Sequence, residues 1–307
     1  MNILIAGASG FIGQALVKSL VPDHQITVLG RDKTRLTSIF TQPGIHCCTW
    51  SELSSIEAST YEVVFNLCGD NIAAKRWNKA RKQQIIQSRV HTNHLLIEWL
   101  LSQNAKPYYI CANAIGIYGT QAHDDAQYFD ETTPLNDKAP HDFLAEVGLD
   151  WQHSLNPAID AGLSVTTLRF GVVLGKSGGM LQKLYWPFFC GAGAILGDGR
   201  QTISWVHLDD VVRACHFLLN QPVWLTGPVN LTAPHPVTQR YFAKTLAQTL
   251  KRPLLLTLPA RLIQIGLGEM GDLLLLKGSK VLPKRLLENH FVFNYPELEQ
   301  ALEFFYH

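Results

Sequence analysis

The chain has 307 residues, with 26 Lys and Arg against 25 Asp and Glu, for a net charge of +1. Hydrophobic residues make up 47% and charged ones 17%, against about 25% charged in an average soluble domain, which excludes long disordered charged tails. The balance gives no general electrostatic reason to bind nucleic acid or an anionic membrane, so neither is expected as a partner. A chain of this length forms one large domain or two coupled ones, with a core that needs no staples. No apolar run reaches the ~18 residues of a membrane span. The stretch from Leu254 to Leu276 is broken by Pro259, Arg261, Gln264, Glu269 and Asp272. The N-terminus has no basic region, and its apolar run from Ile3 ends at Gly7, unlike a secretory leader. The six cysteines (47, 48, 68, 111, 190 and 215) form no Cys-x-x-Cys pair, and the twelve histidines give no His-x-x-x-His pair on a credible helix. Reduced thiols, a cytoplasmic location and no metal site are the expectations.

The first half alternates strand and helix signals. Asn2 to Ala6 is a short apolar strand, followed by Phe11, Ile12, Ala15, Leu16 and Leu20 at helical spacing. Further strands are expected at Gln25 to Leu29, Ile45 to Trp50, Tyr61 to Leu67, Pro107 to Ala112 and Val165 to Leu174, with a long helix from about Asn78 to Ser102. This order argues for an α/β fold, a doubly wound parallel sheet with helices on both faces. The second half is less regular. Gly175 to Gly199 holds glycines at 175, 178, 179, 191, 193, 197 and 199, and reads as a mobile or tightly turning substrate-side insertion over about 175–203. Ser204 to His207 and Val229 to Thr232 are late strands. Asp209 and Asp210 are expected to cap a helix, as is Thr238. The expected division is residues 1–233 for the nucleotide domain and 234–307 for a small, mostly helical C-terminal region.

The strongest local feature is Gly7-Ala8-Ser9-Gly10-Phe11-Ile12-Gly13, between the first strand and the first helix. That is the context a dinucleotide loop requires: a sharp turn, close approach to a pyrophosphate, and a helix start whose free N–H groups and dipole hold phosphate. At the end of the second strand stand Gly30, Arg31, Asp32, Lys33 and Arg35. Arg31 suits a 2′-phosphate, which favours NADP(H), whereas Asp32 keeps NAD(H) as the alternative.

The G-x-x-G-x-x-G spacing resembles the extended short-chain dehydrogenase/reductases. Asn66-Leu67-Cys68-Gly69-Asp70-Asn71-Ile72 with Lys75-Arg76-Trp77, Arg169 to Gly175, Gly197 to Gln201 and Val281 to Leu286 are similar to an atypical branch of that superfamily, usually labelled epimerase family protein, with its own short C-terminal domain. The resemblance covers the whole chain. It implies a Rossmann fold and NADP(H) bound at residues 7–13 and at Gly30-Arg31. It further implies cofactor contacts at Leu67, Cys68 and Gly69, at Gln84 and Arg89 on the long helix, and at Val173 beside the nicotinamide.

Ordinary members of the superfamily use a Tyr-x-x-x-Lys pair for proton transfer. None of the nine tyrosines here has Lys four residues on. Phe143 or Leu144 stands at the tyrosine's place, and Val147 or Gly148 at the lysine's. Tyr118 and Glu146 are the substitute acid–base candidates. Asn71, Arg76, Trp77, Arg200, Gln201, Trp205 and His207 are candidates for contacting a small-molecule substrate: arginines for an anionic group, tryptophans as walls, and His207 as base or core residue. Two functions follow. One is an NADP(H)-dependent oxidoreductase or epimerase-like enzyme without the usual relay. The other is a non-catalytic NADP(H)-binding sensor or protein-interaction module. Either a monomer or a homodimer is compatible with the sequence.

Overall fold

The structure is a computed structural model that describes residues 1–137, 140 and 142–306. Strands β1 (Asn2–Ala6), β2 (Gln25–Gly30), β3 (Ile45–Thr49), β4 (Val63–Asn66), β5 (Tyr108–Ala114) and β6 (Val165–Phe170) alternate with helices α1 (Phe11–Leu20), α2 (Lys33–Ile39), α3 (Lys79–Ser102), α4 (Phe143–His153) and α5 (Asn156–Asp160). Then come β7 (Val172–Gly175), α6 (Gly179–Phe189), β8 (Ala194–Leu196), β9 (Thr202–Ile203), β10 (Trp205–His207), α7 (Leu208–Leu219) and β11 (Gly227–Leu231). The chain continues through β12 (Val237–Thr238), α8 (Gln239–Thr249), β13 (Leu256–Leu258), α9 (Ala260–Leu267), α10 (Glu269–Leu275), α11 (Lys284–Glu288) and α12 (Leu298–Tyr306).

One parallel sheet of seven strands runs in the order β11-β6-β5-β4-β1-β2-β3. Its strands are apolar on both faces because helices cover both. Ile3 and Ile5 join Leu16, Leu20 and Leu218 on one side. Leu4 and Ala6 join Leu96, Leu100 and Trp151 on the other. The chain winds outward from β1 to β3 and then returns to place β4 on the opposite side of β1. This reversal opens a crevice at the carboxyl ends of β1 and β4, where ligands of such sheets bind. The long helix begins where the sequence indicates, with the Asn78 side chain accepting from the Arg81 N–H at 2.8 Å. Among the described residues, no helix is long and apolar enough to cross a membrane.

Four expectations need correction. The apolar run from Val165 to Leu174 is two strands, not one. The chain leaves the main sheet at Gly171, where any Cβ would lie 2.6 Å from the Ser204 carbonyl oxygen, and β7 pairs instead with β10. Ser204 to His207 therefore lies outside the main sheet. The glycine-rich segment is an ordered part of the core: α6 buries Leu181 and Phe188 in a third cluster with Trp205, Phe242 and Leu302. Its glycines serve close packing. Cβ atoms built at Gly175 and Gly178 would each meet the Phe11 ring at 2.5 Å. Finally, α7 is capped by His207, whose Nδ1 accepts from the Asp209 N–H at 3.0 Å, and not by the aspartates. Asp210 is buried and accepts the N–H groups of Asn294 and Tyr295 (2.8 and 2.9 Å) while pairing with Arg213. Thr238 does cap α8.

The residues after 234 interlock with the segment between β7 and β10. β12 pairs with β9 and β13 with β8. The Ser204 hydroxyl donates to Ser279 O at 2.7 Å and accepts from the Val281 N–H at 3.0 Å. The seat of Phe11 gives a test. Gly178→Ala is expected to cost about 1–3 kcal/mol of stability through overpacking, and distinctly less in a Phe11→Ala background. Urea denaturation of the four proteins measures this; equal costs in both backgrounds would remove the ring from the explanation.

Candidate functional site

The crevice between β1 and β4 is built by two close approaches. Gly7 has φ +79°, and a Cβ there would sit 2.7 Å from the Leu67 carbonyl carbon. The loops after β1 and β4 therefore touch only because residue 7 has no side chain and tolerates the left-handed backbone. At Gly13 a Cβ would lie 2.5 Å from Gly7 O, so α1 starts hard against the turn. No side chain caps α1, and its first turn has no acidic residue. The N–H groups of Phe11, Ile12 and Gly13 precede the first intrahelical bond, from Gln14 N to Gly10 O at 2.9 Å, so they are available to an anion. The Phe11 and Ile12 side chains pack away into the glycine seat and the core. Their contribution to the cleft is backbone. The Ser9 carbonyl accepts from the Gln14 side chain at 2.9 Å, which steadies the loop.

Leu67, Cys68 and Gly69 form the opposite wall. The Asn66 side chain accepts the Cys68 N–H at 3.1 Å and donates to Asn93 at 2.6 Å, tying this loop to α3. Burial pushes the Cys68 thiol up to about 12, with the positive charge of Arg31 acting the other way. Arg31 is thus within electrostatic reach of this wall, and it is exposed at the end of β2. Two of its neighbours have partners. Asp32 caps α2 through the Arg35 N–H at 3.1 Å, and Lys33 pairs with Glu52 at 2.5 Å.

Arg89 lies against Gly69, with its guanidinium carbon 3.3 Å from where a Cβ would be. It donates to Ile85 O (2.8 Å) and Asp70 O (3.2 Å) and lies over the Trp151 ring at 4.9 Å. Its Nε has no partner, and no carboxylate of the described residues pairs with it. Burial lowers its pKa to about 10, Asp70 opposing. Arg81 was not anticipated. It is buried, pairs with Asp70 and donates to Asn71 O at 2.6 Å, so two arginines of α3 fasten the loop after β4. Their partners lie ten or more residues back in the chain, and no spacing rule marks them. Gln84 is exposed on the same helix. Val173, on β7, is partly buried beside the first core cluster.

Beyond the crevice, at the carboxyl ends of β5 and β6, lies a cavity of about 540 Å³. Leu144, Met180, Leu184, Phe188, Ile203 and Leu274 are among its walls. A substrate-side insertion over about 175–203 is expected from the sequence, and residues of it line the cavity; what differs is that the insertion supplies a helix, α6, in place of a mobile or turning segment. The helical spacing of Leu181, Leu184 and Phe188 was the available signal.

Several candidates are placed elsewhere. The Tyr118 hydroxyl donates to Asn230 Oδ1 (2.9 Å) and accepts from Arg169 (2.8 Å), and its ring stacks on Phe129. It is a buried structural group outside the cavity, not a free proton donor. Glu146 is exposed on the outer side of α4 and lines no part of the cavity. Trp205 is fully buried, with its indole bonded to His235 O at 3.1 Å, so it is core and not a substrate wall. Trp77 packs edge-on against Phe143 and donates to Ile72 O at 2.9 Å. Asn71 folds back to accept the Ala73 N–H. Arg76 rests beside Gly268, and Arg200 is exposed over a separate shallow depression. Of the substrate candidates, only Gln201 reaches the cavity, its amide donating to Leu196 O and Leu275 O. His207 is packed between Tyr295 and Phe305, and burial lowers its pKa to about 4. Among the described residues, no group of three or more His, Cys, Asp or Glu is placed to hold a metal ion.

The family model "NAD dependent epimerase/dehydratase family" matches residues 3–230, and a second, "Domain of unknown function (DUF1731)", matches residues 258–305. The chain belongs to the NAD-dependent epimerase/dehydratase family. It is 37% identical over 311 residues to the chloroplastic epimerase family protein SDR39U1 homolog of Arabidopsis thaliana, covering 98% of this chain and 86% of the relative. It is 35% identical over 302 residues to epimerase family protein Mb2239 of Mycobacterium bovis, covering 98% and 96%. The crystal structure of human epimerase family protein SDR39U1 with NADPH superposes with a TM-score of 0.85 at 28% identity, over 99% of each chain. These likenesses agree with the atypical extended short-chain dehydrogenase/reductase branch and its Rossmann sheet.

Of the two residues expected at the tyrosine's place, Phe143 is buried against Trp77 and Leu144 lines the cavity. One turn on, a Cβ at Gly148 would lie 2.6 Å from Ile117 Cβ and 2.7 Å from its Cα. The Leu144→Tyr/Gly148→Lys double variant is therefore expected to lose about 1–3 kcal/mol of stability; a thermal melt matching the wild type would show room for the lysine. A second test concerns His207. Its folded pKa lies below the ordinary 6.5, so the unfolded chain takes up a proton first as pH falls. Stability should drop between about pH 6.5 and about pH 4, by up to about 3 kcal/mol. His207→Asn keeps an acceptor for the cap and should flatten that part of a urea-denaturation pH profile.

Proposed function

We propose that this protein is an NADP(H)-dependent oxidoreductase, epimerase-like in fold, that acts on a small molecule held in the cavity beside the cofactor crevice. The carrying observation is the uncapped, acid-free start of α1, with the exposed Arg31 at the end of the neighbouring strand β2. The phosphates would meet the N–H groups of Phe11, Ile12 and Gly13. Arg31 is an exposed cation at the end of β2, while the Asp32 carboxylate that could hold an unphosphorylated ribose already accepts the Arg35 N–H as a cap. This supports NADP(H) over NAD(H). NADPH is also what the human relative holds. When bound, NADP(H) gives up or takes back a hydride, two electrons with one hydrogen, and the accompanying proton is exchanged with water. The residues of this chain bind and orient the cofactor and exclude solvent with the apolar walls of α6 and α10.

A second reading has its own support. With Leu144 and Gly148 at the relay positions, and with Tyr118 and Glu146 placed elsewhere, a non-catalytic NADP(H)-binding protein explains the same crevice.

A fluorescence titration with NADPH and NADH tests the shared part. Arg31→Ala is expected to weaken NADPH binding roughly 10- to 100-fold, the loss of a charge-assisted pair, and to leave NADH binding nearly unchanged. Equal loss for both nucleotides, or none for either, would contradict the assignment of Arg31. Turnover of NADPH with any carbonyl substrate then separates the enzyme from the sensor.

A further inference from the structure

The cavity beside the crevice is built for one kind of molecule. Its walls are almost wholly hydrocarbon, from Leu144 on α4, Met180, Leu184 and Phe188 on α6, Ile203 on β9 and Leu274 on α10. The ionisable groups at its wall are two lysines. Lys277 pairs with Asp272 at 3.0 Å, whereas Lys183, exposed on α6, donates to Ala73 O at 3.2 Å and pairs with no carboxylate among the described residues. Of the four wall hydroxyls, two are engaged with backbone carbonyls: Ser204 donates to Ser279 O, and Ser279 donates to Gly119 O; Thr120 and Thr202 carry the other two. The Gln201 amide already donates to two backbone carbonyls. The arginines that a sequence reading assigns to an anionic substrate, Arg76 and Arg200, stand outside it.

Resting on the oxidoreductase reading above, we infer that the substrate is uncharged and largely apolar, a lipophilic ketone, aldehyde or alcohol, and not a sugar nucleotide. A sugar nucleotide brings a diphosphate and a base rich in hydrogen-bonding groups. Moving two phosphate charges from water into hydrocarbon walls that offer a single exposed cation, Lys183, is unfavourable, and polar edges left unpaired add to that. An apolar molecule gains from the same walls, and a cavity of about 540 Å³ is within the usual range for small-molecule sites, roughly 300–1,000 Å³. The outer side of the cavity continues this character. Leu258 of β13 lines it while remaining partly exposed, and Trp186 of α6 is exposed nearby in the chain.

The test uses the full chain, Nile red as the fluorescent probe, and 2-undecanone and UDP-glucose as competitors. The dye is expected to brighten on binding, to be displaced by 2-undecanone, and to be unaffected by UDP-glucose at about 1 mM. Leu184→Asp and Leu274→Asp, both at partly exposed wall positions, should each weaken the ketone-displaceable signal by roughly tenfold or more. Circular dichroism and the NADPH titration monitor folding in the same samples. Leu262→Ser on α9, exposed and outside the cavity, should leave that signal intact. Displacement by UDP-glucose overturns the inference. So does a dye signal insensitive to the ketone, or one removed by Leu262→Ser and retained in Leu184→Asp. Absence of NADPH binding by the wild-type chain instead overturns the cofactor reading, whatever the dye does.

Discussion

The substrate side of this molecule hangs from one close backbone contact. At Gly171 the chain stops pairing within the main sheet, and the Ser204 carbonyl comes so near that no side chain fits between them. The Val172 N–H donates to that same carbonyl at 2.8 Å. The step from β6 to β7 moves the chain sideways, so β7 pairs with β10 and packs Val173 against the first core cluster, while β6 ends at the cavity with Phe170. The Ser204 hydroxyl then holds the backbone of residues 279 and 281, and with it the α10 wall. Cofactor crevice and cavity are two sides of one displaced strand.

A second coupling joins them at the helix that faces the phosphates. The Phe11 ring, on the first residue of α1, fits among Gly175, Gly178 and Gly179 at the head of α6. A group bound at the start of α1 therefore sits on the residue against which the cavity's main wall is packed. Because protein interiors are close-packed, a shift at either end is transmitted as a repacking of that ring.

The parallel sheet is legible in the sequence because strands buried on both faces are continuous apolar runs, and β1, β2 and β4 have that form between glycines and polar turns. The phosphate loop is legible because its chemistry is local: seven consecutive residues supply the turn, the close approach and the helix start. The long helix announces itself through Asn78. The rest is set by partners distant in the chain. Tyr118 looks like a spare phenol until Arg169 and Asn230 close on it from 51 and 112 residues away. Trp205 looks like a pocket wall until α8 and α12 bury it. The glycines before α6 look like mobility because the ring that fills the space beside them lies more than 160 residues earlier in the sequence.

The closed relay position constrains what chemistry the site can do. Gly148 is pressed against Ile117, and Asn113 donates to the Gly148 carbonyl at 3.0 Å, so α4 is drawn onto the end of β5 where the lysine side chain of an ordinary member would need space. Leu144, on the same helix, extends the hydrocarbon wall of the cavity. The wall hydroxyls of Ser204 and Ser279 are committed to backbone carbonyls, so within the enzymatic reading water is the proposed source of the proton. Catalysis of that kind draws its rate from holding the reacting carbon at the nicotinamide and from excluding other water, which is positioning, not acid–base catalysis. An apolar cavity shaped for an uncharged substrate supplies that positioning, and it gives the loss of the relay a physical partner in the same stretch of wall.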